Sequence, residues 1–205
     1  MSMTEISGSS ENEARAGTDP RRALFKAVAL AGDTVAAVRP EQYGNTSPCP
    51  DYSARQLAQH LVAVLRRVSV AGSGGHPFTV PSFAEDVRED EWQKAWEDGV
   101  RDAEAVWSDP AVLGKSIELG FATVPGAAAC IVYATELSLH TWDLAQATGQ
   151  APAWDAEALA APVAAMRHAV PAEPRGGPVP FGPVVEVPTD APLIDQLAGW
   201  YGRQP

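Results

Sequence analysis

The sequence is poor in features that mark several common classes of protein. Its only two cysteines, Cys49 and Cys130, are far apart and lack Cys-x-x-Cys spacing, so a disulfide framework is not indicated. No apolar run is long enough to span a bilayer, and the N-terminus lacks the basic start and apolar middle of a signal peptide. These absences predict a cytoplasmic protein with reduced cysteines and no membrane partner.

Basic residues are also scarce. The chain has 15 Lys and Arg against 26 Asp and Glu, which gives a formal net charge of -11. An acidic surface repels phosphate backbones, so we expect no nucleic-acid partner.

Several catalytic motifs are also absent. The sequence contains no glycine-rich phosphate loop, no His-Glu-x-x-His and no Gly-x-Ser-x-Gly, so it does not indicate a nucleotide-binding protein, a zincin or a serine hydrolase.

What the sequence does contain is helical periodicity. Apolar residues recur every three or four positions in four long segments that are bounded by start or stop signals. The clearest signals are Asp19-Pro20, the possible Ser53/Gln56 capping box and Gly149. The predicted helices cover about residues 20–38, 54–72, 90–107 and 127–148. Four long amphipathic helices predict an all-α four-helix bundle, with connections too uneven for a plain up-and-down order.

A short non-helical element is predicted between the third and fourth helices. Residues 116–123 alternate between apolar and polar side chains, with Ile117, Leu119 and Phe121 on one side. Such alternation indicates an extended or hairpin segment.

Beyond the bundle, the chain is expected to form a C-terminal extension. A fifth helix should begin near Asp155 and kink or restart at Pro162, because proline removes a helical hydrogen bond. A Pro- and Gly-rich stretch over 171–192 then leads to a short last helix capped by Asp190. The predicted organisation is a disordered tail (1–18), a metal-binding bundle (19–150) and a C-terminal helical and extended segment packed on the bundle (151–205).

The most informative feature is an acid and a histidine on the fourth predicted helix. Glu136 and His140 are four residues apart and share one helix face, and Asp143 stays near that face. An imidazole from a second helix, His60, would complete a three-ligand set that leaves coordination positions open. We therefore predict that His60, Glu136 and His140 bind a metal, and that Asp143 holds the free ring nitrogen of a ligand histidine.

Each of these residues also has a simpler interpretation. A single histidine on an apolar helix face, such as His60, is more often a satisfied core residue. Glu136 and His140 could be an exposed pair that stabilises the helix by a few tenths of a kcal/mol. The apolar surroundings of the fourth helix weigh against this, because an ionised glutamate there needs a partner. Asp143 could equally be a charge on the helix surface or bond to a neighbouring loop.

The remaining histidines and the tryptophans carry no site prediction. His76 lies in a Gly-Pro loop and His168 lies near a helix end, so we expect both to be solvated. Four tryptophans at helical spacing are expected in the core rather than in a ligand cage: Trp92, Trp96, Trp107 and Trp142.

Three segments taken together resemble a known family. They are TSPCPDY (46–52), LAQHLV (57–62) and ELSLHTWDLA (136–145). They are similar to the metal-binding domain of mycothiol-dependent maleylpyruvate isomerases, and more closely to actinobacterial proteins that contain that domain alone. The similarity covers nearly everything after Asp19, although Tyr52 stands where the family often has tryptophan.

The resemblance implies a DinB-like four-helix bundle that holds a divalent metal, commonly zinc, through two histidines and one glutamate. Those positions map onto His60, Glu136 and His140. The resemblance also implies a low-molecular-weight thiol such as mycothiol as cofactor or co-substrate. About fifty residues follow Gly149, too few for the further domain of the full isomerase, so maleylpyruvate isomerisation itself is in doubt.

Three functions therefore stay open. The first is a metal-dependent transferase or isomerase that uses a small thiol against an electrophilic substrate, with no catalytic base that the sequence can name. The second is a metal-dependent hydrolase in which the open position activates water. The third is a non-enzymatic metal- or thiol-binding protein. A dependence of turnover on thiol would separate the first two functions. A homodimer formed through the faces of the bundle is compatible with all three.

Overall fold

The computed structural model describes residues 19–177 and 179–205, so the predicted tail over 1–18 lies outside it. Within these residues the chain forms six α-helices and one two-stranded hairpin, which confirms the predicted all-α class. The elements are α1 (Pro20–Ala36), α2 (Ala54–Gly72), α3 (Trp92–Trp107), β1 (Ser116–Glu118), β2 (Thr123–Pro125), α4 (Gly126–Thr148), α5 (Ala156–Ala169) and α6 (Leu193–Trp200).

The start and stop signals in the sequence coincide with helix ends. The Asp19 side chain accepts a hydrogen bond from the backbone of Arg21, and Ser53 and Gln56 form the predicted capping box. Helix α4 ends at Gly149, whose φ of 66° lies in the left-handed region that glycine adopts without steric cost. The predicted boundaries of these helices therefore hold to within about two residues.

Two predictions about the C-terminal extension are wrong in detail. Helix α5 is one continuous helix over Ala156–Ala169 with Pro162 inside it. The helix therefore does not restart at Pro162, which is buried, whereas the alternative of a kink there stays a prediction. Helix α6 begins at Leu193 after Pro192 and has no side-chain cap, so Asp190 is not its N-cap.

The hairpin also departs from the simple alternation. Strands β1 and β2 pair antiparallel, with Ile117 opposite Val124. Ile117 and Leu119 are both buried, but Phe121, which was predicted on the same side, is exposed. The chain turns at Gly120, whose φ is 87°, so the alternation ends before Phe121 is reached.

The core of the bundle is formed by α1 to α4. Helix α1 packs on α4, α2 packs on both α3 and α4, and the four tryptophans are buried as expected. Trp107 is fully buried and its ring nitrogen donates to the backbone oxygen of Val68 at 2.9 Å. None of the described helices is long and apolar enough to cross a membrane.

A second apolar cluster joins the C-terminal extension to the bundle. It combines Leu139 and Trp142 of α4 with residues of the later helices, namely Leu159, Met166, Ile194, Leu197, Ala198 and Tyr201. Helix α4 therefore lies between the bundle core and the extension. This position explains why most of its faces are buried.

Candidate metal centre

Three side chains meet between α2 and α4. His60 projects from α2, and Glu136 and His140 project from the shared face of α4. Their candidate ligand atoms all lie within 4.8 Å of one another. Nε2 of His60 is 3.4 Å from Oε1 of Glu136, and the two imidazole rings are 4.8 Å apart between centroids. The tertiary structure thus brings together the three residues that the sequence analysis singled out.

The other nitrogen of each imidazole is held by the protein. Nδ1 of His60 lies 2.8 Å from the backbone oxygen of Ser82, and Nδ1 of His140 lies 3.1 Å from Oδ2 of Asp143. Carbonyl and carboxylate oxygens only accept hydrogen bonds, so each Nδ1 is assigned the proton. Nε2 of each ring then keeps the lone pair that a metal ion would bind.

Asp143 is itself held by a residue from the C-terminal end. Nε of Arg203 donates to Oδ1 at 3.1 Å and Nη2 donates to Oδ2 at 2.8 Å. The Asp143 side chain is 0% exposed, and that of Arg203 is 9% exposed. Burial raises the pKa of Asp143, but the hydrogen bonds from His140 and Arg203 outweigh it, so the pKa lies below its usual value. Asp143 is therefore an ionised acceptor.

Glu136 is ionised as well. Burial acts to raise its pKa, but the close contact with His60, the neighbouring His140 and the positive charge of Arg67 lower the pKa to about 2. Its side chain remains 42% exposed, so one face of the carboxylate is reachable from solvent. Two imidazole nitrogens and one carboxylate oxygen are the donor set of catalytic zinc sites with three protein ligands and an open position. The residues present fit a divalent ion of that kind.

Aromatic side chains shield the histidines on one side. The ring of Tyr52 lies 5.3 Å from His60 and 5.9 Å from His140, and Phe83 lies 5.1 Å from Tyr52. Cys49 is near the same place, because its sulfur lies within 4.8 Å of ligand atoms of His140 and Asp143. Burial, followed by the charge of Asp143, raises the pKa of the Cys49 thiol, which favours the neutral thiol over the thiolate.

A small cleft of about 50 Å³ opens beside Glu136. Among the described residues, the two exposed large apolar side chains, Phe78 (54%) and Phe121 (73%), both line it. Arg67 also lines it and lies over the Phe78 ring at 5.2 Å. Nη2 of Arg67 donates to Val80 and Ser82, at 3.0 and 3.3 Å, whereas its Nη1 makes no hydrogen bond within the described part of the chain.

Several of these groups could not be identified from the sequence. Ser82, Arg67 and Arg203 lie in no recognisable motif, and only their distant partners give them a role. Near the cleft, the one local pattern in the sequence was the alternation over 116–123, which contains the lining residues Leu119 and Phe121. His76 and His168 are both exposed, in line with the expectation that they are solvated.

The fold and the converging side chains define a helical-bundle protein with a candidate divalent-metal centre. A family model described as the mycothiol maleylpyruvate isomerase N-terminal domain matches residues 24–145, which include all three candidate ligands. The chain belongs to this family. The resemblance stated from the sequence is thereby confirmed.

The individual proteins that resemble this chain share less than a third of its residues. Two proteins described as uncharacterized, from two strains of Mycobacterium tuberculosis, are each 29% identical over 185 residues, which is 90% of this chain and 98% of the relative. Crystal structures of the mycothiol-dependent maleylpyruvate isomerase and of a mutant of it align with a TM-score of 0.48 at 13% identity. The alignment covers 62% of this chain and 60% of that protein.

Proposed function

We propose that this chain binds one divalent metal ion through His60, Glu136 and His140, with zinc as the expected ion. We further propose that it uses a small thiol of the mycothiol type to transform an electrophilic substrate, as a transferase or isomerase. The observation that supports metal binding best is the convergence of three ligand atoms within 4.8 Å while both histidine Nδ1 atoms are already engaged. Membership of the mycothiol maleylpyruvate isomerase N-terminal domain family supports the use of a small thiol.

The protein's own residues have distinct tasks in this proposal. The Ser82 carbonyl and the Asp143 carboxylate orient the two imidazole rings, and Tyr52 and Phe83 exclude water from one side. A divalent ion with an open position would lower the pKa of a bound thiol and favour the thiolate, which is the nucleophilic form.

The cleft beside Glu136 is the proposed route for the substrate. Its aromatic rim, Phe78 and Phe121, can contact an apolar part of the electrophile. The unengaged Nη1 of Arg67 can donate to an oxygen that becomes negatively charged during attack. The chain as a whole carries a charge of -11, so a cation placed at this cleft is a local feature rather than a consequence of composition.

The first test is metal content, measured by elemental mass spectrometry on protein purified without an affinity tag. We expect about one zinc per chain in the wild type and a strong loss in His140→Ala, because two remaining ligands hold zinc poorly. His168→Ala is the matched control, since this exposed histidine lies on α5 and is not one of the three candidate ligands, and it should keep the metal. No metal in the wild type, even after reconstitution, would contradict the proposal.

Turnover assays then separate the alternatives. Conversion of electrophiles that needs both the metal and mycothiol supports the thiol-dependent enzyme. Metal-dependent hydrolysis that ignores mycothiol would favour the hydrolase, in which the open position activates water. Tight metal binding without turnover of any electrophile would favour a non-enzymatic metal- or thiol-binding protein.

A further inference from the structure

The candidate metal centre is connected to the C-terminal end of the chain. Arg203 donates two hydrogen bonds to Asp143, and Asp143 in turn accepts from Nδ1 of His140. Arg203 lies 60 residues from Asp143 in sequence and outside the part of the chain that the family model matches. A side chain from the extension therefore reaches the immediate surroundings of a predicted metal ligand.

The geometry of this contact is tightly constrained. The guanidinium uses two nitrogens on the two carboxylate oxygens, at 3.1 and 2.8 Å, and its third nitrogen donates to the backbone oxygen of Tyr201 at 3.0 Å. Such a two-point contact fixes the plane of the carboxylate as well as its position. The three nitrogens belong to one rigid planar guanidinium, so their directions are fixed relative to one another.

The backbone on either side of Arg203 is also fixed. Its N–H donates to the oxygen of Ala198 at 2.9 Å, and Gly202, with φ of 83°, makes the turn that ends α6. A Cβ at Gly202 would lie 3.0 Å from the backbone of Gly182, so this close approach also requires glycine. The end of α6 therefore directs the Arg203 side chain toward Asp143.

We propose that Arg203 is a positioning residue of the metal centre, which orients Asp143 and through it the ring of His140. This inference rests on the proposed metal binding of His140. An imidazole that can rotate, or that can carry its proton on Nε2, must lose that freedom when it binds a metal, and this weakens the affinity. The C-terminal extension is then part of the functional site, although it supplies no metal ligand.

The first experiment examines the ring without metal. Proteins labelled with ¹⁵N-histidine are compared by NMR at about pH 8, above the ordinary imidazole range. Wild type should show His140 as a single tautomer with the proton on Nδ1, and Arg203→Met should show a mixture or an averaged signal. Identical His140 signals in the two proteins would overturn the inference, whatever the metal result.

The second experiment measures Zn²⁺ affinity by competition with a chromophoric chelator. We expect a loss of about 10- to 100-fold in Arg203→Met, the usual effect of removing a group that orients a metal ligand. Arg203→Lys keeps the charge but not the two-point contact, so it should lose affinity by a smaller factor. In Asp143→Asn, adding Arg203→Met should cause little further loss, because the connection is already broken.

A matched control separates positioning from general damage to the extension. Arg167 lies over the Trp200 ring at 4.8 Å in the same part of the molecule and has no contact with Asp143, so Arg167→Met should keep wild-type affinity. Affinity within twofold of wild type in both Arg203 variants would overturn the inference while leaving the metal site intact. If wild type itself binds no Zn²⁺, the proposed function fails, and the NMR comparison alone decides whether Arg203 positions His140.

Discussion

At the scale of single residues, the surroundings of the candidate metal centre include a buried ion pair between Asp143 and Arg203. Asp143 and Arg203 are both buried, and each would be an uncompensated charge without the other. Removing one member of such a pair lowers the stability by more than the intact pair contributes, because the other ion stays buried without a partner. The pair therefore has a measurable signature in the metal-free protein.

We predict that Asp143→Asn lowers the free energy of unfolding by about 3–5 kcal/mol at pH 7. The measurement is urea denaturation of metal-free protein. Asp86→Asn is the matched control: Asp86 pairs with Arg66 at 2.9 Å, but 67% of its side chain is exposed. An exposed pair contributes about 0–1 kcal/mol, so a similar loss in both variants would contradict the account.

The lowered pKa of Asp143 also predicts that the free energy of unfolding depends on pH. The pKa of Asp143 is lowered in the folded protein, so on acidification the unfolded state takes up the proton first, near the ordinary aspartate value of about 3.9. The stability that ionised Asp143 contributes is present above that pH and is lost as the pH falls toward the lower folded pKa. The difference in unfolding free energy between wild type and Asp143→Asn should therefore shrink between about pH 5 and pH 2. A constant difference over this range would contradict it.

At the scale of secondary-structure elements, α4 is the helix whose placement matters most. It supplies Glu136 and His140, and it follows the hairpin directly at Gly126. The N–H of Gly126 donates to the oxygen of Lys115 at 2.9 Å, which brings two stretches of backbone close together. A Cβ built on Gly126 would lie 2.0 Å from the oxygen of Val112. Only glycine fits at the start of α4 without a shift of backbone.

We predict that Gly126→Ala destabilises the protein by about 1–3 kcal/mol, the usual cost of overpacking, and weakens metal binding by moving the helix. Thermal unfolding and Zn²⁺ competition measure the two effects. Gly114→Ala is the control in the neighbouring turn, where a Cβ would meet nothing within 4 Å. Equal behaviour of the two variants would show that the close approach to Val112 imposes no constraint.

At the scale of the whole molecule, two apolar clusters share α4. The bundle cluster includes Leu57, whereas the cluster around the extension includes Leu197, and both side chains are 0% exposed. Leu139 and Trp142 of α4 belong to the second cluster, so removing the extension would expose apolar surface on a central helix. The division at residue 150 stays a prediction, as do a homodimer and a cytoplasmic location.

Because α4 links the clusters, we predict that they unfold together. Leu57→Ala and Leu197→Ala should each cost about 2–5 kcal/mol and shift one common transition. Tryptophan fluorescence and far-ultraviolet circular dichroism during guanidinium denaturation should give the same midpoint in every variant. Separate midpoints, with Leu197→Ala moving only one of them, would mean that the extension folds as its own unit.

Local patterns in the sequence predicted much of this protein. Asp19, Ser53 and Gly149 act through hydrogen bonds to neighbours within a few residues, so their effects are visible without a tertiary structure. Glu136 and His140 share a face because helical geometry alone places residues four apart on one side. The outward turn of Phe121 was missed, because Gly120 ends an alternation that the side chains alone would continue.

The helices and the shared face of Glu136 and His140 could be predicted from the sequence, since both follow from interactions within one or two turns. Three contacts could not be predicted in this way: His60 lies against Glu136, Ser82 and Asp143 each occupy one histidine nitrogen, and Arg203 holds Asp143. The physical reason is separation along the chain. Contacts over 60 or 76 residues leave no periodic trace, and only the packing of α2, α4 and α6 brings their partners within hydrogen-bonding distance.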